Sequence, residues 1–480
     1  MTRSLFLAIL SAVPAAAASC ESLGALSVPH TTIALAQSVA VGQFTPPGRG
    51  GPGGGVVFRT LPAFCRIAAT LQPVANSAIQ IEVWMPASGW NGKLQSVGNG
   101  AWAGSISYPA MATALAAGYA TTSTDTGHTG NNATFVVGHP EKLVDFAYRS
   151  VHEMTVAAKA IAASFYGNGP ARSYFNGCST GGRQALTEAQ RFPNDYDGIV
   201  AGAAANYPTH LQGAQVWTAQ VSHQDEAGYI PPDKYPPLHS AALQACDALD
   251  GVKDGVLEDP TRCHFEPSVL TPQQAQVARK IYAGPPNFPG LEPGSELGWD
   301  TLSGPQPLSL ANETYQYLVF QDPSWDYRKF DPVRDVAQAE KMIGPIMDAI
   351  DPNLRPFFGH GGKLLMYHGW ADPGIAPLNS VHYYSSVVDT LGGAAKTKDS
   401  VRLFMVPGMG HCRGGDGTDT FDPVAALDQW VTKGQAPDQI VASHSTKGAI
   451  DKTRPLCPYP QVATYKGSGD TNTAANFACK

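Results

Sequence analysis

Charge is scarce in this chain. Lys, Arg, Asp and Glu make up 15% of its 480 residues, and the formal net charge is −7. No cluster of Lys and Arg forms a basic patch, which argues against a nucleic-acid partner. Long apolar runs are missing as well: nothing approaches the ~18 residues that a membrane-spanning helix needs. No segment repeats. Cysteines occur, but never as Cys-x-x-Cys, and no Cys/His spacing suits zinc. The stretch Gly48-Arg49-Gly50-Gly51-Pro52-Gly53-Gly54-Gly55 ends without Lys followed by Ser or Thr. A phosphate-cradling role is therefore weakly supported, and a flexible loop is the simpler reading.

What is present is ample material for a core. Hydrophobic residues make up 43% of the chain, with 18 Phe, 18 Tyr and 8 Trp. That permits more than one domain. At the N-terminus Arg3 precedes the apolar run Leu5-Phe6-Leu7-Ala8-Ile9-Leu10, and small residues Ala15 to Ser19 follow. This is the pattern of a secretory signal peptide over residues 1–18, cleaved near Ala18. Acylation of Cys20 as a lipoprotein is the rival, but Ala17 stands where Leu is usual. The even count of eight cysteines behind such a leader argues for disulfides and a secreted or periplasmic location.

Alternating and apolar runs predict strands at Ile79–Trp84, Lys93–Val97, Tyr119–Thr124, Ile199–Ala203, Lys363–His368 and Val401–Val406. Helical periodicity marks Val151–Tyr166 and Val424–Lys433. Strands alternating with helices predict an α/β class with a largely parallel sheet. From about Asn206 to Asp351 the pattern breaks into Pro-rich, aromatic and loop-forming sequence. We read residues 19–205 and 351–480 as two parts of one catalytic domain, and 206–350 as an inserted lid.

The only Gly-x-Ser-x-Gly in the chain is Gly177-Cys178-Ser179-Thr180-Gly181. It follows short apolar residues and precedes a helical pattern. An ordinary glycine-rich turn has the same letters. A strand-to-helix elbow with an exposed serine, as in α/β-hydrolases, requires this local context. Such sites take Ser, Asp and His in that chain order, each after a strand. Ser179, Asp372 and His411 meet both conditions. Ser179 would attack a carbonyl carbon, His411 would carry its proton, and Asp372 would orient the imidazole. The tetrahedral intermediate needs two N–H donors. Thr180 is one candidate; Gly100 is the other, with Gly98 its near alternative. Cys178 and Cys412 flank nucleophile and base, and a bond between them would pin the two loops together. That symmetry also argues against Cys178 as the nucleophile.

A second dense stretch runs from Cys246 to Val256. Asp247, Asp250 and Asp254, with the Val252 and Val256 carbonyls, offer the hard oxygens that Ca²⁺ prefers. The spacing is not that of an EF-hand, and a solvated acidic turn is the alternative. Cys263 could pair with Cys246. A structural ion is expected here, remote in sequence from the triad.

Taken together, Gly177-Cys178-Ser179-Thr180-Gly181-Gly182-Arg183, Gly369-Trp370-Ala371-Asp372 and Gly408-Met409-Gly410-His411-Cys412 resemble the tannase and feruloyl esterase family, which includes mono(2-hydroxyethyl) terephthalate hydrolase. The resemblance covers most of the mature chain and extends to the acidic loop, which looks like the family's calcium loop. It implies a secreted α/β-hydrolase with a lid, acting on small-molecule esters of aromatic acids, hydroxycinnamic or gallic. It also implies the pairings Cys20–Cys65, Cys178–Cys412, Cys246–Cys263 and Cys457–Cys479. Some members carry a further lid disulfide, for which no cysteines remain. Thr180 resembles the feruloyl esterase form of the elbow, whereas the terephthalate-ester enzyme has an acidic residue there. Asp125-Thr126-Gly127-His128 matches a family motif to which the sequence assigns no role. Serine peptidase and acyltransferase activities are the alternatives of a different class.

Overall fold

The strand-forming runs assemble into one nine-stranded sheet. In the computed structural model, which describes residues 18–47 and 55–480, the strands are β1 (Thr31–Val39), β2 (Phe64–Leu71), β3 (Ile79–Pro86), β4 (Lys93–Val97), β5 (Ala120–Thr124), β6 (Arg172–Cys178), β7 (Gly198–Gly202), β8 (Lys363–Gly369) and β9 (Val401–Val406). The leader, apart from Ala18, and the glycine-rich run up to Gly54 lie outside the described residues. Spatial order is β1-β2-β3-β5-β4-β6-β7-β8-β9. The strands from β5 to β9 pair in parallel. β1, β2 and β3 are antiparallel additions at one edge.

Parallel strands must be covered on both faces, and neighbouring side chains show how. Phe175, Ile199, Leu364 and Met366 point to one face and pack with Val151, Met154, Ile161, Leu186 and Val387. These belong to helices Ser150–Tyr166, Thr180–Arg191 and Leu378–Thr390. Their strand neighbours Tyr174, Val200, Leu365 and Tyr367 point the other way, onto Ala114, Leu427 and Trp430. The last two come from helix Pro423–Lys433, whose N-terminus is capped by Asp422 accepting from the Ala425 N–H. β1 and β2 were not among the strands predicted from sequence. β1 is an edge strand with much of its length exposed, so it lacks the apolar run that marked the others.

Beyond β7 the sheet strands stop until β8. β7 and β8 are hydrogen-bonded neighbours, yet everything between them is helix and loop, including Pro208–Ser222, Tyr235–Cys246, Pro272–Ala283 and Arg334–Met347. This insertion has apolar clusters of its own, one around Tyr235, Leu238, Ile281 and Trp299. Its Gly298 packs on Pro373 in the loop after β8, where an added Cβ would lie 2.5 Å from the proline Cγ.

All four disulfides expected from the family resemblance are formed: Cys20–Cys65, Cys178–Cys412, Cys246–Cys263 and Cys457–Cys479. Cys20 is thereby unavailable for acylation, which removes the lipoprotein alternative. Cys178 is likewise unavailable as a nucleophile. Among the described residues no helix is long and apolar enough to cross a membrane.

Candidate active site

Ser179 stands at the junction of β6 and helix Thr180–Arg191 with φ 65° and ψ −123°, a conformation most L-residues avoid. Its surroundings hold it there. Its N–H donates to Gly202 O at 3.0 Å, and its carbonyl accepts from Arg183 and Ala205 N–H at 3.1 Å each. The turn has no room for side chains: a Cβ on Gly177 would sit 2.4 Å from Gly181 O, and one on Gly182 2.3 Å from Gly202 O. Strain at one half-buried serine on a cavity, imposed by tight neighbours, marks a functional elbow rather than a loose turn.

The loops after β8 and β9 are fastened to each other. Trp370 N–H donates to Val406 O and Ala371 N–H to Met409 O, each at 2.9 Å. A Cβ on Gly369 would meet Met409 O at 2.2 Å. The fastening brings Asp372 Oδ2 to 2.7 Å from His411 Nδ1. Asp372 is fully buried; its Oδ1 accepts from Gly374 and Ile375 N–H at 2.8 and 2.9 Å. Burial alone would raise its pKa, but His411 and His368 outweigh burial and hold the carboxyl far below the usual range. For His411, burial pulls downward and the Asp372 charge and hydrogen bond pull harder, so the imidazole lies above its ordinary value.

His368 is a member of this site that sequence reasoning placed only in a strand. It is fully buried. Its Nε2 faces Asp372 Oδ2 at 3.1 Å and Ile375 O at 3.2 Å, and its Nδ1 lies 2.7 Å from Ser380 Oγ. Two acceptors beside Nε2 require the proton there, so Ser380 donates to Nδ1. A second imidazole thus steadies the carboxylate. No pattern in the sequence distinguishes it from any other strand residue.

Ser179, Thr180 and His411 border one cavity of about 320 Å³, within the range for a small organic ligand. The Cys178–Cys412 bond joins the residues beside Ser179 and His411 across 234 positions, with Cα atoms 6.1 Å apart. Trp102, Phe146, Leu308, Met347 and Ile375 make the walls largely apolar. Arg183 is also a wall. Its guanidinium donates to Ala147 O and Phe146 O at 2.8 and 3.3 Å, and burial lowers its pKa to about 10, so it stays charged at neutral pH. From the insertion come Gln212 and Gln215, three residues apart on one helix face. Both are buried, and among the described residues the amide oxygen of each has no partner. Gln215 Nε2 is committed to Gly374 O at 2.9 Å.

The loop after β4 supplies a second wall beside the elbow. Gly98 N–H donates to Asn176 O at 3.0 Å, so the near alternative for the oxyanion donor is already engaged. Gly98 is glycine for packing: its Cβ would lie 2.7 Å from Gly181 Cα. Asn99 N–H donates to Gln184 Oε1 at 3.0 Å. Around Gly100 the space is open. Its neighbour Ala101, at φ 46°, borders the cavity and accepts from Thr180 Oγ1 at 3.1 Å.

The acidic loop is engaged internally. Asp247 accepts from Asp254 and Gly255 N–H at 3.2 and 3.0 Å, and Asp250 from Val252 N–H at 2.8 Å. Asp254 pairs with Arg454, with Lys452 Nζ at 3.6 Å. Among the described residues no group of three or more His, Cys, Asp or Glu is arranged to hold a metal. The oxygen donors suit a hard cation, while Asp254 is turned to its cationic partners. Remote in sequence, the loop is nonetheless close to the triad: a Cβ on Gly408 would meet Val256 Cγ1 at 3.1 Å. His239, on the helix leading into the loop, lies 3.2 Å from Asp416.

The chain is similar to known esterases in both sequence and fold. The family model for tannase and feruloyl esterase matches residues 65–316 and 309–480. An uncharacterised esterase of Xanthomonas campestris pv. campestris is 37% identical over 97% of this chain and 91% of its own. A protein of Aspergillus flavus named probable feruloyl esterase B-1 is 35% identical over 86% of each chain. The crystal structure of feruloyl esterase B from Aspergillus oryzae superposes with a TM-score of 0.89 at 31% identity, covering 96% of this chain and 99% of that one. Tannin acyl hydrolase from Aspergillus niger shares the fold, with a TM-score of 0.78 at 22% identity over 94% and 90% of the two chains.

Proposed function

Because the chain belongs to the tannase and feruloyl esterase family, we propose that it is a secreted serine carboxylesterase acting on esters of hydroxylated aromatic acids, feruloyl esterase-like in activity. The observation that carries this reading is the Asp372–His411 pair at 2.7 Å, on the same cavity as Ser179. Of the two His411 ring nitrogens, only Nδ1 has a protein hydrogen bond among the described residues, which leaves Nε2 free to take the Ser179 proton. The serine oxygen attacks the ester carbonyl. His411 then passes that proton to the leaving alcohol, and water repeats the sequence on the acyl-enzyme. Asp372, held by two N–H groups and His368, fixes the tautomer and stabilises the imidazolium. Thr180 N–H, at the helix start, and Gly100 N–H would receive the developing oxyanion.

The apolar walls suit an aromatic acyl group, and the unpaired amide oxygens of Gln212 and Gln215 suit a ring hydroxyl that donates to them. A gallate ester carries the same kind of group, so tannase activity is the second reading. Four disulfides favour an oxidising compartment. For the acidic loop we propose a structural Ca²⁺ held by Asp247, Asp250, Asp254 and the Val252 and Val256 carbonyls, with Asp254 exchanging Arg454 for the ion.

The test is acid release from methyl ferulate, methyl gallate, mono(2-hydroxyethyl) terephthalate and a peptide amide, with Ser179→Ala as control and an alcohol acceptor in a parallel series. Ferulate release that disappears in Ser179→Ala is expected. Peptide cleavage without ester cleavage would reject the reading.

A further inference from the structure

The Asp125-Thr126-Gly127-His128 stretch has no part in the triad, yet all four residues are buried. It leaves β5 in a tight turn. Asp125 Oδ1 accepts from Gln80 and Gly127 N–H at 2.8 Å each. Thr126 and Gly127 take φ of 60° and 85°. The turn delivers His128 beneath the loop Gly98–Gly104, with Nε2 2.7 Å from Trp102 O. A carbonyl can only accept, so Nε2 carries the proton and donates. The ring is stacked on Phe135 with centroids 3.8 Å apart, and Nδ1 lies 3.2 Å from Thr126 Oγ1.

The same segment grips the loop on either side of that bond. Asn99 Nδ2 donates to Thr124 O at 2.8 Å. Gly130 and Asn131 pair with Gly104 and Ala103, and a Cβ on Gly104 would lie 2.5 Å from His128 O. Between these fixed points stand Gly100 and Ala101. Their N–H groups have no protein partner among the described residues, and Ala101 borders the cavity. From the insertion side, Trp102 Nε1 donates to Leu310 O at 3.3 Å.

We propose that His128 is a positioning residue for the oxyanion loop. By holding the Trp102 carbonyl it sets where the Gly100 and Ala101 N–H groups point. The inference rests on the esterase reading above. Its physical basis is that an oxyanion donor acts only within a narrow range of distance, and a misplacement of about 1 Å can cost about 100-fold in rate. An apolar residue would fill the site with less desolvation cost, but would leave the Trp102 carbonyl unpaired and the loop free to shift.

The experiment uses the full-length mature protein and two substitutions. His128→Leu removes the donor while keeping much of the volume; His128→Gln keeps an N–H. Each is compared with wild type for kcat and KM on methyl ferulate, for ferulate binding, and for inhibition by a trifluoromethyl ketone that forms a tetrahedral adduct. In His128→Leu we expect kcat to fall about 10- to 100-fold with KM within about threefold. Affinity for the tetrahedral inhibitor should fall in parallel, ferulate binding should hold, and His128→Gln should recover part of the loss. A kcat within about twofold of wild type would overturn the proposal, as would equal losses in kcat, KM and ferulate binding. Should His128→Leu not fold, His128→Met decides by the same readouts: a fall in kcat at unchanged KM supports the proposal, and an unchanged kcat overturns it. Ester hydrolysis that survives Ser179→Ala would defeat the esterase reading. Loss in Ser179→Ala beside a fully active His128→Leu would defeat the positioning role alone.

Discussion

Asp372 receives four hydrogen-bond donors on two oxygens, from Gly374, Ile375, His411 and His368. Its replacement by Asn should leave the protein folded while reversing the preferred tautomer of His411. We expect kcat to drop by about 10⁴-fold in Asp372→Asn, measured on methyl ferulate. The pH profile checks the same pair. His411 must be neutral to act as base, and its pKa lies above its ordinary value. Activity should therefore fail on the acid side at a pH above the ~6.5 of an unperturbed imidazole. In Asp372→Asn that limb should move to lower pH. Glycines make a second residue-level contrast. Gly98→Ala would press a Cβ onto Gly181 Cα, whereas Gly100→Ala enters open space. Thermal unfolding should show Gly98→Ala destabilised by about 1–3 kcal/mol, as for overpacking, and Gly100→Ala little changed.

At the scale of elements, strands place Ser179, Asp372 and His411, and an inserted helix lines the cavity beside them. The strands that hold Ser179, Asp372 and His411 were legible because each is a buried apolar run with a short loop after it, and that pattern survives in one dimension. β1 was not, because an edge strand is only half covered. The helix Pro208–Ser222 shows the limit more sharply. It is buried along most of its length, and no periodicity reveals which of its polar residues meets the cavity. Gln215 can be tested directly. With its N–H committed to Gly374 O, its oxygen is the atom left for a ring hydroxyl. Gln215→Leu should lower kcat/KM for methyl p-coumarate by about 10-fold, the worth of one hydrogen bond to a neutral donor, and leave methyl 4-methoxycinnamate within about twofold. Equal effects on both esters would reject that role.

For the whole molecule, the disulfides are unequal in consequence. Cys178–Cys412 closes a separation of 234 residues and Cys457–Cys479 one of 22. Loop entropy predicts stabilisations of about 5 and about 3 kcal/mol. The larger difference should be in activity. The Cys178→Ser/Cys412→Ser pair should lose kcat together with stability, since the bond lies beside both Ser179 and His411. The Cys457→Ser/Cys479→Ser pair should lose stability alone. Kinetics and chemical unfolding of the two variants separate these outcomes. The acidic loop belongs to the same scale, because it packs under Gly408. If it binds Ca²⁺ as proposed, a chelator should lower Tm and calcium should restore it. A Tm indifferent to both would dispose of the ion.

The sequence by itself determined the parallel sheet, the order Ser179, Asp372, His411, and the family, because local patterning and glycine-constrained turns are properties of short segments. It could not assign His368, the Gln212 and Gln215 oxygens, or the Asp125–His128 turn. Each of these is placed against a group brought near by folding: His368 against Asp372, the glutamines against the cavity, and His128 against Trp102. A contact between residues far apart in the chain leaves no mark on the pattern around either of them, and here only the tertiary structure decided which side chains meet.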